Sequence, residues 1–169
     1  MPLKAAVLTD VSVTPAALTI STSTNITIVY TPVTAETTGT ILEFSYPTTF
    51  TGGAALTNTD IAITGTNITS KTCTGFIAGY FRCTLTTTGS VTTAVTTVIG
   101  STNKLTTPAS AGNYSFSVSA NIGGTGSTYD TGAGLAYIAS ENQVQVRAVV
   151  PPVLALDLYD AGTTNLMSN

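Results

Sequence analysis

The chain carries eight carboxylates, two cysteines and no histidine. Without histidine, nucleophilic catalysis of the Ser–His or Cys–His kind is excluded. Carboxylate-pair hydrolysis needs two acids converging in one cleft. Asp10, Glu36, Glu43, Asp60, Asp130 and Glu141 are dispersed, and Asp157 and Asp160 are close together only near the C-terminal end. All of them read as solvated surface acids, the usual place for a carboxylate. A calcium loop needs several oxygens on one turn. The segment STYDTGAG offers Asp130 alone among hydroxyls and carbonyls, and reads as a turn in which Asp and Gly supply the backbone geometry. An intramolecular Lys–Asn isopeptide bond would join Lys4 to Asn142 beside a buried Glu43, but Glu43 falls on the outward phase of its strand. With no histidine and only two cysteines, a zinc-type site lacks ligands. The sequence predicts no enzyme, no cofactor and no metal.

Cys73 and Cys83 bracket the nine-residue segment TGFIAGYFR. The functional reading is a disulfide stapling a hairpin or loop in an oxidising compartment; the alternative is two buried free thiols. Asn25, Asn67 and Asn113 each open an Asn-x-Ser/Thr sequon and are candidate glycosylation sites. Asn25 and Asn113 fall on the strand face opposite the apolar residues.

The composition says where such a chain belongs. Threonine fills 37 of 169 positions, whereas Lys, Arg, Asp and Glu together fill 13. A chain solubilised by hydroxyls rather than charges suits a wall, fibre or surface protein. The five cations, Lys4, Lys71, Arg82, Lys104 and Arg147, are scattered singly, so no basic patch exists for nucleic acid or an anionic membrane. Apolar residues make up 43 % of the chain, ample for a core. No apolar run reaches the length that spans a bilayer. The opening Met1-Pro2-Leu3-Lys4 lacks the apolar stretch of a signal peptide, so the extracellular or cell-surface location rests on composition.

The elements that must position these residues are strands. Ile26, Ile28 and Tyr30 share one face of NITIVY; Leu42, Phe44 and Tyr46 share one face of ILEFSY. Ile61 and Ile63 alternate, as do Phe81, Cys83 and Leu85. Tyr114, Phe116, Val118 and Ala120 alternate, and so do Val144, Val146, Ala148 and Val150, with Gln145 and Arg147 outside. Some eight to ten short strands, broken by Gly, Pro, Asn and Ser turns, predict an antiparallel sandwich or barrel. The expected core is Ile28, Tyr30, Leu42, Phe44, Phe116, Val118, Val144 and Val146. Asn25, Glu43, Asn113, Gln145 and Arg147 are expected outside.

Pro151-Pro152 cannot continue a ladder, which divides the chain into a sandwich over 1–150 and a linker plus C-terminal strand over 151–169. In that tail Leu154, Leu156 and Leu158 share a face and must be covered, which makes them the candidate assembly strand.

Two stretches, TGTILEFSYPTTF and LTTPASAGNYSFSVSANIGGTGSTYDTG, resemble the Thr/Gly-rich immunoglobulin-like repeats of bacterial cell-surface and surface-layer-like proteins. The matching segments are 39–50 and 105–132. Tyr46 stands where the repeat usually has Phe, and the cysteine pair is unusual for it. The resemblance implies an immunoglobulin-like fold, a surface location and a structural or adhesive role, with no catalytic residues. The reading is an all-β, immunoglobulin-like antiparallel sandwich with a C-terminal strand extension. Its expected function is a structural subunit of a filament or sheath, a homo-oligomer or homopolymer joined by strand addition. The alternatives are an adhesin binding a glycan or host surface, with Tyr80 and Tyr129 as the stacking candidates, and one repeat excised from a larger surface protein.

Overall fold

The computed structural model describes residues 4–102, 104–124 and 128–140. Twelve strands form within them: β1 (Lys4–Val7), β2 (Thr9–Pro15), β3 (Ser23–Thr24), β4 (Ile26–Thr31), β5 (Ile41–Ser45), β6 (Ile61–Thr64), β7 (Ile68–Ile77), β8 (Tyr80–Thr87), β9 (Val95–Ile99), β10 (Leu105–Thr106), β11 (Gly112–Asn121) and β12 (Thr128–Ile138). One sheet has the order β1-β12-β11-β5-β8-β7, the other β2-β4-β9-β6, and β3 and β10 form a small ribbon. All pairings are antiparallel except β1 on β12.

The chain is therefore an all-β antiparallel sandwich of immunoglobulin-like arrangement. β2, β4 and β9 lie on one sheet and β5, β11 and β12 on the other, the placement of the A-B-E and C-F-G strands of that fold. The departure from it is β6, which joins the four-stranded sheet before the β7–β8 hairpin rather than after it.

Alternation decides which side chains meet between the sheets. On β4, Ile26, Ile28 and Tyr30 are buried while their neighbours are half-exposed. Leu42 and Phe44 of β5 and Phe116, Val118 and Ala120 of β11 face them in one contiguous core. Phe44 stacks on Phe81 at 4.8 Å between ring centroids, and Phe116 meets Phe50 edge-on at 5.1 Å. Such pairs add about 0.5–1.5 kcal/mol beyond area burial. The six expected core residues that fall in the described part are all buried. Val144 and Val146, the outward Gln145 and Arg147, and the whole of 151–169 with Leu154, Leu156 and Leu158 lie outside the described residues.

The segment STYDTGAG is not a turn. Thr128–Ile138 forms one eleven-residue strand, and its glycines serve close packing rather than backbone reversal. A Cβ on Gly132 would meet Val11 Cγ2 at 2.7 Å, and one on Gly134 would meet Val13 Cγ2 at 2.6 Å. Only glycine lets β2 lie against β12 and close that side of the sandwich.

Candidate functional site

Cys73 and Cys83 stand directly opposite each other on β7 and β8 and are joined by a disulfide, with their Cα atoms 4.0 Å apart. The segment between them is a hairpin turning at Ala78 and Gly79. Gly79 takes φ 81°, and a Cβ there would come within 2.7 Å of the Tyr46 carbonyl oxygen. The disulfide fits an oxidising compartment. β7 is an edge strand, and its edge is blunted: Asn58 Oδ1 accepts from the Cys73 N–H at 2.8 Å and from Lys71 Nζ at 3.0 Å.

Three carboxylates expected at the surface are buried: Glu36, Asp60 and Asp130 are all 0 % exposed. Each is taken up by a hydroxyl or N–H donor that lies in or is reached by a loop, where strand periodicity gives no guidance. Asp60 accepts from the Thr57 N–H at 2.8 Å, the Thr57 hydroxyl at 2.7 Å and the Thr102 N–H at 3.1 Å. Asp130, on β12, accepts from the Thr34 N–H at 2.6 Å and the Thr34 hydroxyl at 3.0 Å, tying the β4–β5 loop to the far strand. Glu36, in that loop, accepts from the Tyr30 hydroxyl at 3.0 Å, and its Oε2 has no partner among the described residues. Burial pushes the Glu36 carboxyl up to about 7; the Tyr30 hydrogen bond opposes this and the nearby Asp130 charge adds to it. Tyr30 is itself raised well above its ordinary value, first by burial and then by Glu36. These are anchors of loops within the fold. Glu43 faces outward on β5 as expected, half-buried and receiving the Tyr80 hydroxyl at 3.0 Å. Both features depart from the buried shuttle that an isopeptide bond requires.

The sequons differ in accessibility. Asn113 is exposed on the outer face of β11, opposite Tyr137 of β12. Asn67 is exposed, but its amide donates to the Ser90 carbonyl at 2.8 Å. Asn25 was expected outside and is half-buried, its Oδ1 enclosed without a partner. It sits at the bend between β3 and β4, where its carbonyl accepts from the Ala16 N–H, so strand phase does not govern it.

The feature that the sequence did not disclose is an interruption in the edge of β12. β1 pairs with β12 only as far as Thr131, whose carbonyl accepts from the Leu8 N–H at 2.8 Å. The chain then crosses to the other sheet as β2 and returns. At Ala139 the N–H donates to the Leu18 carbonyl at 2.6 Å and the carbonyl accepts from the Ile20 N–H at 3.1 Å. Backbone direction alternates along a strand, so the N–H and C=O groups of Ala133, Leu135 and Tyr137 point to that same side. Between the two anchor points, residues 132–138 have no strand partner there among the described residues.

Exposed apolar side chains run along this interruption. Leu135 is 64 % exposed and Tyr137 47 %; Val7 at one anchor is 75 % and Leu18 at the other 53 %. The neighbouring outer positions on β11 are Asn113, Ser115, Ser117 and Ser119, so the apolar row stands against a hydroxyl-coated face. Elsewhere, a groove of about 350 Å³ is lined by Thr49, Thr51, Thr106, Pro108, Ser110 and Tyr114, among others. Tyr80 is half-buried and its hydroxyl donates to Glu43.

No family model and no curated protein matches the chain. Among solved structures it is similar to BslA, a bacterial hydrophobin, at 20 % identity over 75 % of this chain and 93 % of that one, with a TM-score of 0.44. It is also similar to a chain of a complex between a CaDoc0917 variant and CaCohA2, at 10 % identity over 76 % and 99 % with a TM-score of 0.40. A non-cellulosomal cohesin from the hyperthermophilic archaeon Archaeoglobus fulgidus matches at 9 % identity over 78 % and 93 %, with a TM-score of 0.39. Among the described residues, no helix is long and apolar enough to cross a membrane.

Proposed function

We propose that the chain is a non-catalytic structural subunit of an extracellular or cell-surface assembly, a filament or sheath. One subunit adds a strand from its C-terminal stretch to a sheet of the next. The observation that carries this reading is the interrupted edge of β12 with its row of exposed apolar residues. Backbone that is unpaired among the described residues, beside exposed Leu135 and Tyr137, is a template for a further strand, which proteins ordinarily blunt, as this one does at β7. Repeating one head-to-tail contact gives an open fibre. The sparse charge, the hydroxyl coat and the disulfide support a surface setting. Glu36, whose carboxyl burial pushes up to about 7, is sealed in the core and offers no substrate a route to it.

Sedimentation and negative-stain microscopy of the full chain test the proposal, with Leu135→Lys as the control. Leu135 is an exposed side chain, so the variant should keep its melting temperature and lose assembly. A parent chain that stays monomeric at every concentration, or a variant that assembles as the parent does, removes the reading. The hydroxyl-lined groove beside Tyr114 favours one second reading, an adhesin holding a neutral glycan. Binding on a glycan array that Tyr114→Ala abolishes would support it.

A further inference from the structure

We propose that the gap in the edge of the six-stranded sheet, residues 132–138, is the acceptor for the run 144–150 of a second copy of this chain. The proposal rests on the assembly reading above and names the two surfaces that meet. The candidate assembly strand read from sequence alone was that of Leu154, Leu156 and Leu158; the geometry of the gap favours the run before it.

The first argument is length. β1 leaves the edge at Thr131 and residues 18–20 take it up again at Ala139, which leaves seven residues of β12 open among the described residues. Residues 144–150 are a seven-residue run that alternates apart from Val149, and Pro151-Pro152 ends it. Proline cannot donate to a ladder, so pairing stops where the added strand would otherwise collide with β1 or with residues 18–20.

The second argument is phase. Laying seven residues on seven places residue 147 opposite residue 135, whichever way the added strand runs. Val144, Val146, Ala148 and Val150 then share the inward face with Gly132, Gly134, Ala136 and Ile138. Ala136 and Ile138 are buried, and the two glycines are the positions where β2 lies close. Gln145, Arg147 and Val149 fall on the outer face, with Arg147 beside Leu135 and either Gln145 or Val149 beside Tyr137 according to the direction of the added strand. The arginine stem covers the exposed leucine, and its guanidinium is within reach of the tyrosine ring. A one-residue slip would turn the four apolar residues to solvent, so the register is specified.

The third argument concerns which copy donates. In its own chain Val144 follows Ala139 by five residue steps, at most about 17 Å of extended backbone. Residues 18–20 already hold the edge at Ala139. The chain would have to pass around that segment and turn back beside it within those few residues. A strand from another copy meets no such obstruction.

Leu135→Cys and Arg147→Cys are made as separate full-length variants, one carrying an affinity tag, then mixed and oxidised mildly with the native disulfide intact. Directly opposed Cα atoms of a hydrogen-bonded antiparallel pair lie about 5.5 Å apart, within the Cα separation a disulfide spans. The expected result is a mixed covalent dimer at least tenfold more abundant than that formed by Leu135→Cys with Leu156→Cys. If the Leu156 pairing dominates instead, strand addition stands and the choice of segment is overturned. A doubly substituted chain that closes on itself without intermolecular product overturns donation by a second copy. A parent chain that sediments as an assembly while neither mixture cross-links shows that the acceptor lies elsewhere. A parent chain that never assembles overturns the functional reading, and this inference with it.

Discussion

Glu36→Gln should flatten the pH dependence of stability. Glu36 is fully buried, with Oε1 on the Tyr30 hydroxyl and Oε2 unpartnered among the described residues. Its carboxyl holds a proton up to about pH 7 in the folded chain, against 4.5 as the ordinary value. Between these two values folding takes up a proton. Stability is therefore greatest below about pH 4.5 and falls as pH rises through 7, the direction for an acid whose folded pKa is raised. At about 1.4 kcal/mol per pH unit the loss is about 3 kcal/mol, a large share of the net stability of an ordinary domain. Glutamine keeps an acceptor for Tyr30 and cannot ionise. The assay is urea denaturation of parent and variant from pH 4 to pH 8.5, read as the difference in unfolding free energy so that groups common to both cancel. The difference should shift by about 3 kcal/mol in favour of the variant across that range, most steeply between about pH 4.5 and 7. A difference constant within error would show that Glu36 is ionised in the folded chain or reaches water, and the account of this buried acid would fail.

Phe116→Ala should cost about 3–5 kcal/mol, because the ring is buried against Phe50 and Tyr46; an unchanged melting temperature would remove it from the core. Intact mass before and after reduction and alkylation should show one disulfide, and removing it as Cys73→Ala with Cys83→Ala should cost about 2–3 kcal/mol in denaturant. Gly134→Ala should cost about 1–3 kcal/mol by driving a methyl into Val13, whereas Gly75→Ala would meet nothing closer than 3.9 Å and isolates the backbone cost of its φ of 71°; equal effects of the two would contradict the close β2–β12 packing. In a host with N-glycosylation, Asn113 should be occupied and Asn25 empty, checked by glycopeptide mass spectrometry.

The core was legible because alternation is a local signal. Ile28, Tyr30, Leu42, Phe44, Phe116 and Val118 each belong to a run in which every second residue is apolar, and a two-residue period leaves one buried face. The disulfide was legible too, since the spacing and the glycine-rich intervening segment suited a staple across a hairpin or loop, and the structure shows the hairpin. Glu36, Asp60 and Asp130 were not. A carboxylate is counted as exposed unless something on the chain signals a partner, and the partners here are threonine hydroxyls and N–H groups. Threonine occurs at 37 positions, so its presence near an acid carries almost no information. Thr34 and Asp130 are 96 residues apart, and only the tertiary fold makes them neighbours.

STYDTGAG was read as a turn for a related reason. Glycine inside a strand pattern signals either a reversal or a close approach, and sequence does not say which. Here Val11 and Val13 occupy the space that side chains at Gly132 and Gly134 would need, so the approach is the answer. The same packing explains why the edge of β12 is interrupted. To lie against those glycines, the N-terminal chain leaves the six-stranded sheet after Val7 and pairs with β4, then regains β12 only at Ala139. A strand closing the side of the sandwich cannot also complete the sheet edge it has left. Among the described residues, the open backbone of Ala133, Leu135 and Tyr137 is thus a consequence of how this fold closes its core, and the proposal above assigns that opening to the run from Val144 to Val150 of a second copy.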